Sequence, residues 1–415
     1  MRPAPGLAAG TRLLLFTGKG GVGKTTTAAA TALQLAERGV KTLVLSTDAA
    51  HSLGDALERP LTDQPLSVVP GLDAAQLNTR HRWEAAWTEV ADYLRQLLLQ
   101  GELDPIAAEE LTVLPGIEEV LALLAVGELA GSGRWDVIVL DCAPTAETLR
   151  LLALPEALGW YLDRVFPVHR KLARGLRPMS SLLGRDGLAP PDAVFDAVVR
   201  MATELAEVRA LLADPATTSI RLVLTPQAVV AAEARRTLTA LALHGYPVAE
   251  LIVNRVLPAA ASDSQWGRPF WQAQQEQLAA ITADFAGLPI RRLSHRAVEP
   301  VGPADLLTLG GELYAEEDPA AATATEPLLQ VLTTGEEQFQ LLVRLPLADR
   351  RQVSAARSGD ELVLTVGEHR RVLTLPSVLR RCRVVAGEVA DGLVRLEFEP
   401  DPALWPRPAR PEPAS

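Results

Sequence analysis

Residues 12–37 run from a short apolar stretch, RLLLFT, through a glycine-rich loop, GKGGVGKT, into the helix-forming run TTAAATALQLAE. No other feature restricts the fold as much. Gly18-Lys19-Gly20-Gly21-Val22-Gly23-Lys24-Thr25 satisfies the pattern G-x-x-x-x-G-K-[ST] in the strand-to-helix context that gives the pattern meaning. Glycines let successive backbone N–H groups converge on phosphates, and the helix N-terminus adds partial positive charge. The loop residues from Gly18 to Thr25, with Thr26 behind them, are therefore expected to bind a nucleoside triphosphate. Lys24 should reach the β- and γ-phosphates, and the Thr25 hydroxyl should ligate Mg2+. A second strand signal, KTLVLSTD at 41–48, completes a βαβ unit, which requires a right-handed crossover and a parallel sheet.

Further apolar runs at 135–144, 219–226 and 248–258 read as more strands, each ending in a polar or proline-containing turn. An open α/β sheet places its ligands at such ends. Between them the chain reads as helical. In WEAAWTEVADYLRQLLLQ (83–100) the residues Trp83, Trp87, Val90, Tyr93, Leu94, Leu97 and Leu98 share one helical stripe. The helical segments, about 80–130 and 151–213, are expected to form a subdomain. The stretch AEEDPAAATATEP (315–327) has little to bury, and 316–335 is read as a linker. Short alternating segments from 336 to 400 predict a small all-β sandwich, and 401–415 a disordered tail.

Composition excludes several classes. The 415 residues carry a net charge of −11, the wrong sign for a general nucleic-acid binder. No apolar run approaches the roughly 18 residues of a membrane span. The N-terminal apolar run leads straight into the glycine loop, so a cleaved signal peptide is not expected and a cytoplasmic location is. Two cysteines, Cys142 and Cys382, are too few for a thiolate metal site and too distant for a disulfide framework.

The loop also holds two lysines, Lys19 and Lys24, in a chain where only four of 40 basic residues are lysine. In so arginine-biased a chain, a retained lysine marks a place for a compact ammonium. KGGVGKT resembles the deviant Walker A loop, and two further strings narrow the likeness. LSTDAAHSLGDAL (45–57) and DCAPTAETLRLL (141–152) resemble the two switch regions of the ArsA family, which includes arsenite-pump ATPases and the guided-entry ATPases for tail-anchored membrane proteins. PGIEEVLAL (115–123) and IVNRVLP (252–258) are similar to family segments too, and the likeness spans about 11–315. It implies a P-loop NTPase of α/β class that works as a homodimer. Lys19 would then cross the interface to the partner's nucleotide, Asp48 would orient the attacking water and sit near the metal, Asp141 would hold Mg2+ through water, and Asn254 would read adenine. A carboxylate near a γ-phosphate suits this role because phosphoryl transfer needs mainly positioning and charge stabilisation. An amide offers the donor and acceptor that a base edge requires. Two departures matter. Ala49 replaces the family's proline, and Ala146-Glu147 replaces Gly-His, which removes backbone freedom and inverts polarity in the second switch.

The segment after the second switch, where family members build a client groove, includes LGWYLDRVF with Trp160, Tyr161, Leu162, Val165 and Phe166. Ordinary packing against the sheet is the competing explanation for these residues. With only three methionines, Met1 included, any groove is lined by Leu and aromatics. Residues 339–399 resemble an α-crystallin, or small-heat-shock-protein-like, domain, the companion of the ATPase in one branch of guided-entry-like proteins. The expected activity is Mg-ATP hydrolysis that controls a surface for hydrophobic protein segments, with a membrane receptor as a further partner. The alternatives are a metalloid-stimulated ATPase of an efflux pump, which lacks its cysteines here, and a positioning switch of the MinD/ParA type. The latter would need a C-terminal amphipathic membrane helix or a basic DNA patch, and the sequence has neither.

Overall fold

The structure, a computed structural model, describes residues 10–48, 52–77, 117–143, 149, 192–246, 248–321, 328–335, 337–348, 350–390 and 392–405. It divides into two compact units, Met1–Ala231 with Ala249–Thr323 and Ala232–Val248 with Ala324–Ser415.

The first unit is an eight-stranded sheet. Its strands are β1 (Arg12–Thr17), β2 (Thr42–Ser46), β3 (Leu66–Val69), β4 (Leu72–Gln76), β5 (Val137–Asp141), β6 (Thr218–Leu224), β7 (Val248–Val256) and β8 (Ile290–Ser294), in the order β3-β4-β2-β5-β1-β6-β7-β8. The pairings β4–β2, β2–β5, β5–β1, β1–β6 and β7–β8 are parallel, and β3 joins β4 antiparallel. Parallel strands are covered on both faces and read as continuous apolar runs. Leu13, Leu14, Leu43, Val44, Ile138 and Val139 are accordingly all buried. Helices α1 (Lys24–Glu37), α2 (Ser52–Leu57), α3 (Ile117–Gly131), α4 (Asp192–Ala213), α5 (Ala228–His244), α6 (Gly267–Asp284) and α7 (Gly302–Tyr314) complete the α/β pattern, with the C-terminal part of α5 grouped in the second unit. β1 is central, and the chain winds to β2 on one side and β6 on the other, so a crevice opens at the C-terminal ends of β1, β2 and β5.

Strands β3, β4 and β8 were not foreseen from sequence. LDAAQ and IRRLS lack the β-branched alternation that signals a strand, and pairing to β2 and β7 imposes their conformation. Of the expected helical subdomain, only α3 and α4 fall within the described residues; Trp83 to Leu98 and the groove residues Trp160, Tyr161, Leu162, Val165 and Phe166 lie outside them.

A charged network crosses the buried face of β6, β7 and β8. Glu250 Oε2 accepts from Arg291 Nε at 2.6 Å, and Glu250 Oε1 lies 2.8 Å from Arg221 Nε, an ion contact without hydrogen-bond alignment. Arg221 Nη1 donates to the Tyr314 hydroxyl at 2.9 Å, which is 2.9 Å from Thr31 Oγ1 on α1. Arg291 and Arg221, joined by Arg38 and Arg12, also meet the backbone at and beyond the end of α7. Arg291 bonds the Leu313 carbonyl, Arg38 those of Ala315 and Glu317, Arg221 that of Pro319 and Arg12 that of Ala321. The opening of the stretch read as a linker is thus strapped to the sheet and to the end of α1.

The second unit is a sandwich of a four-stranded sheet, β14-β15-β10-β9, and a three-stranded sheet, β11-β12-β13. The first comprises β9 (Leu329–Gly335), β10 (Gln338–Arg344), β14 (Cys382–Ala390) and β15 (Leu393–Pro400); the second β11 (Val353–Ser358), β12 (Glu361–Val366) and β13 (His369–Thr374). A single turn of helix, α8 (Ser377–Arg380), precedes β14. Alternation sends Leu362, Leu364, Val394, Leu396 and Phe398 into a shared core with Leu341 and Val343. Two expectations need correction. Residues 329–335 of the supposed linker are β9, because Leu329 and Val331 pair with Val343 and Leu341 on the core side of β10. Residues 401–405 of the supposed tail turn back, and Trp405 Nε1 donates to Glu337 at 3.0 Å with its ring 5.8 Å from Phe339.

The charged network gives a stability prediction. Glu250→Ala leaves the buried Arg221 and the half-buried Arg291 without their shared carboxylate and should cost about 3–5 kcal/mol, read by denaturant unfolding, whereas Glu250→Gln should cost less.

Candidate nucleotide site

The crevice places three strand ends side by side. Register sets Asp141 beside Phe16 on β1 and beside Ser46 on β2, so the loop after β1, the turn after β2 and the end of β5 converge. Between β1 and α1 the loop bends through positive φ at Gly18, Gly21 and Gly23. At Gly18 space requires glycine as well, because the neighbour is backbone, whereas at Gly23 the neighbour is a side-chain tip. A Cβ on Gly18 would overlap the Val223 carbonyl, and one on Gly23 would overlap the Asn254 amide. Gly23 precedes α1 without a side-chain cap, and no acidic residue occupies the helix's first turn. The orphan N–H groups and the helix dipole are therefore left to an anion.

Lys24 is buried, and its Nζ donates to the Lys19 carbonyl at 3.2 Å, so its ammonium folds back over its own loop. Lys19 is half-buried, Gly20 and Gly21 are exposed, Val22 is buried, and Thr26 sits half-buried in the first turn of α1. Thr25 Oγ1 donates to Asp141 Oδ2 at 2.8 Å, and Ser46 Oγ donates to the same oxygen at 3.3 Å. The other oxygen, Oδ1, is buried and has no hydrogen-bond partner among the described residues. Burial raises the Asp141 pKa to about 6; Thr25, Lys24 and Ser46 pull it down, and the charge of Asp48 adds to the rise. The neighbouring thiol of Cys142 is pushed by burial up to about 12, so it stays protonated and inert.

Asp48 lies two residues beyond β2 and half-buried. Its peptide is held on both sides. The N–H donates to Ser46 Oγ at 3.2 Å, and the carbonyl accepts from Gln76 Nε2 at 2.9 Å. Asn254, at the end of β7, donates from Nδ2 to the Val22 carbonyl at 2.9 Å and accepts from Arg255 N–H at 2.8 Å. The structure thus brings Asn254 to the loop, with both amide atoms already engaged, and a base edge would have to exchange with those bonds. Ala49, Ala146 and Glu147 lie outside the described residues. Ser46 and Gln76 are the members that sequence reasoning missed. Ser46 stood inside the string that drew attention to Asp48, whereas Gln76 closes a strand with no signal of its own.

Comparison with known proteins follows the same outline. The anion-transporting ATPase (ArsA) family model matches residues 11–315, and the model of the HSP20-like domain found in ArsA matches 336–398. The chain belongs to the ArsA family. It is 38% identical to Protein Rv2184c of Mycobacterium tuberculosis over 97% of this chain and 99% of that one. It is 32% identical to ATPase GET3B of Arabidopsis thaliana over 61% of this chain and 66% of that one. With the arsenical pump-driving ATPase of Escherichia coli the identity is 31%, over 76% of this chain and 51% of the relative. The chain is an ATPase of this family, and its sandwich is HSP20-like. Among the described residues no helix is long and apolar enough to cross a membrane, and no group of three or more His, Cys, Asp or Glu stands ready for a metal.

The raised Asp141 pKa has a sign that can be tested without nucleotide. A carboxyl whose folded pKa lies above its unfolded value is a burden once ionised. Folding stability therefore falls as pH rises from about 4 towards 6 and stays lowered above that. Asp141→Asn should raise the melting temperature of the nucleotide-free protein at pH 8, by an amount corresponding to about 1–3 kcal/mol. The gain should shrink as pH falls through about 6.

Proposed function

We propose that this ATPase is a Mg-dependent homodimer in which ATP binding and hydrolysis open and close a surface for hydrophobic protein segments. The observation that carries the catalytic half is the divided carboxylate of Asp141. One oxygen is taken by two hydroxyls, and the other is buried with no partner among the described residues. That donor set fits a hard, oxygen-seeking divalent cation held mainly through water and phosphate oxygens. Thr25 and Asp141 would hold Mg2+, with Asp48 close by, and the ion when bound would neutralise charge on the phosphate oxygens. Lys24 exchanges its bond to the Lys19 carbonyl for the β- and γ-phosphates. The uncapped amides of the loop take the remaining phosphate oxygens. Asp48 orients the attacking water, and Asn254 moves from Val22 to the adenine edge.

Lys19 supports the dimer. One loop with one triphosphate is served by Lys24, and a second ammonium five residues earlier is best used across an interface, where it stabilises charge developing between phosphates. The client half rests on the apolar run around Trp160 and Phe166 and on the HSP20-like unit. There β9 lies at a sheet edge, carries no charged residue and is exposed along nearly its whole length, an opening for an extended apolar segment. A metalloid-stimulated activity has the names of several relatives in its favour, but the Cys142 thiol is buried and Cys382 belongs to the other unit.

Turnover of Mg-ATP should fall by about 100-fold or more in both Asp48→Asn and Lys19→Ala. Arsenite should leave the wild-type rate unchanged. The mass in solution should be that of a dimer with a non-hydrolysable ATP analogue. A strictly monomeric chain at saturating nucleotide would remove the role of Lys19, and wild-type rates in both variants would remove the catalytic assignment.

A further inference from the structure

The end of β4 carries a side chain that the fold does not explain. Gln76 is buried, and Ser46 is its register partner on β2. Its backbone is fixed by Gln76 N–H to the Thr62 carbonyl at 2.8 Å and by Leu77 N–H to the Ser46 carbonyl at 3.0 Å. Its amide Nε2 donates to the carbonyl of Asp48 at 2.9 Å. The reverse orientation would set two oxygens against each other, so the carbonyl itself dictates which amide atom faces it. Oε1 is buried and finds no partner among the described residues. Among the described residues, the polar head of Gln76 is used for the Asp48 carbonyl alone.

We infer that Gln76 is a positioning residue for ATP hydrolysis, fixing the Asp48 peptide so that the carboxylate meets the attacking water. The inference rests on the reading of Asp48 as the residue that orients that water. Asp48 stands beyond the end of β2, where the ladder no longer restrains it. Ser46 holds its N–H and Gln76 its carbonyl, so the two bonds bracket the residue from neighbouring strands. The next residue is alanine, which imposes no φ of its own, as a proline there would. Removing the Gln76 donor frees the carbonyl, and rotation of that peptide swings the Asp48 side chain. Phosphoryl transfer depends on positioning, so a displacement of that kind lowers the rate of the chemical step and leaves nucleotide affinity alone.

The test compares variants of the full-length protein. Gln76→Met keeps the length of the side chain and removes only its polar head. We expect kcat to fall by about 10- to 100-fold, with KM for ATP, affinity for a fluorescent non-hydrolysable analogue and melting temperature all within about twofold or a few degrees of wild type. Gln76→Glu gives a second readout. Its carboxylate cannot donate to the Asp48 carbonyl, whereas the protonated acid can, so its kcat relative to wild type should rise as pH falls from about 8 to about 6. Wild-type kcat in Gln76→Met overturns the inference. So does a loss shared equally by affinity and melting temperature, or a flat pH ratio in Gln76→Glu. Asp48→Asn in the same assay separates the two levels. If it is nearly inactive while Gln76→Met is normal, only the inference fails; if it turns over at the wild-type rate, the reading of Asp48 fails first.

Discussion

A carboxylate buried at the end of β5 sets the terms for the nucleotide unit. Asp141 sits where β1, β2 and β5 end together, and burial there pushes its pKa to about 6. Water would solvate such a group more cheaply, so the surroundings must compensate. Thr25 comes from the first turn of α1 and Ser46 from the end of β2, and both hydroxyls point at one oxygen. That requirement couples the start of α1 to the strand order, because only the parallel arrangement of these three strands places both donors at the same depth. Among the described residues nothing comparable meets the other oxygen, so the compensation is one-sided.

What the sequence disclosed follows from how local each signal is. The loop from Gly18 to Thr25 is contiguous, so its geometry is encoded in eight neighbouring residues and was readable at once. Asp141 was readable because it closes an apolar run, and Asp48 because its string resembles a known switch. Gln76 was not, since β4 is a strand only through its pairing with β2, and its alanines and aspartate carry no strand pattern. The network of Arg221, Glu250, Arg291 and Tyr314 is more remote still. Its members are spread over nearly a hundred residues and meet only once three strands and a helix end have been placed. In β9 the exposed apolar residues Leu329, Val331 and Leu332 are followed by Thr333, Thr334 and Gly335, too little alternation to separate a strand from the linker before it.

The arginine bias of the chain gains a physical meaning from that network. Five carbonyls between Leu313 and Ala321 accept hydrogen bonds from Arg291, Arg38, Arg221 and Arg12. A guanidinium can divide its donors between a carboxylate and a carbonyl that lie in different directions, as Arg291 does between Glu250 and Leu313. An ammonium, a single point of charge, would serve one of them and leave the other dry. Arg38 follows the last residue of α1 and bonds the backbone beyond α7, so the helix that begins at the glycine loop ends at the strap.

The two loop lysines obey the converse rule. Lys24 is buried at the mouth of a loop whose walls are backbone, and its ammonium donates to a single carbonyl on its own turn. A planar fork would need a wider opening and would bring donors with nothing to meet in the absence of phosphate. A compact head on a flexible stem can instead change partner, from the Lys19 carbonyl to a phosphate oxygen, by rotating its own bonds while the loop stays in place. Arginine holds backbone still at the strap, and a lysine in the glycine loop would suit the exchange of acceptors proposed for it. The same reasoning separates Gln76 from Lys24. The amide lies at the paired ends of β4 and β2 and has one acceptor to hold, so its value lies in not moving.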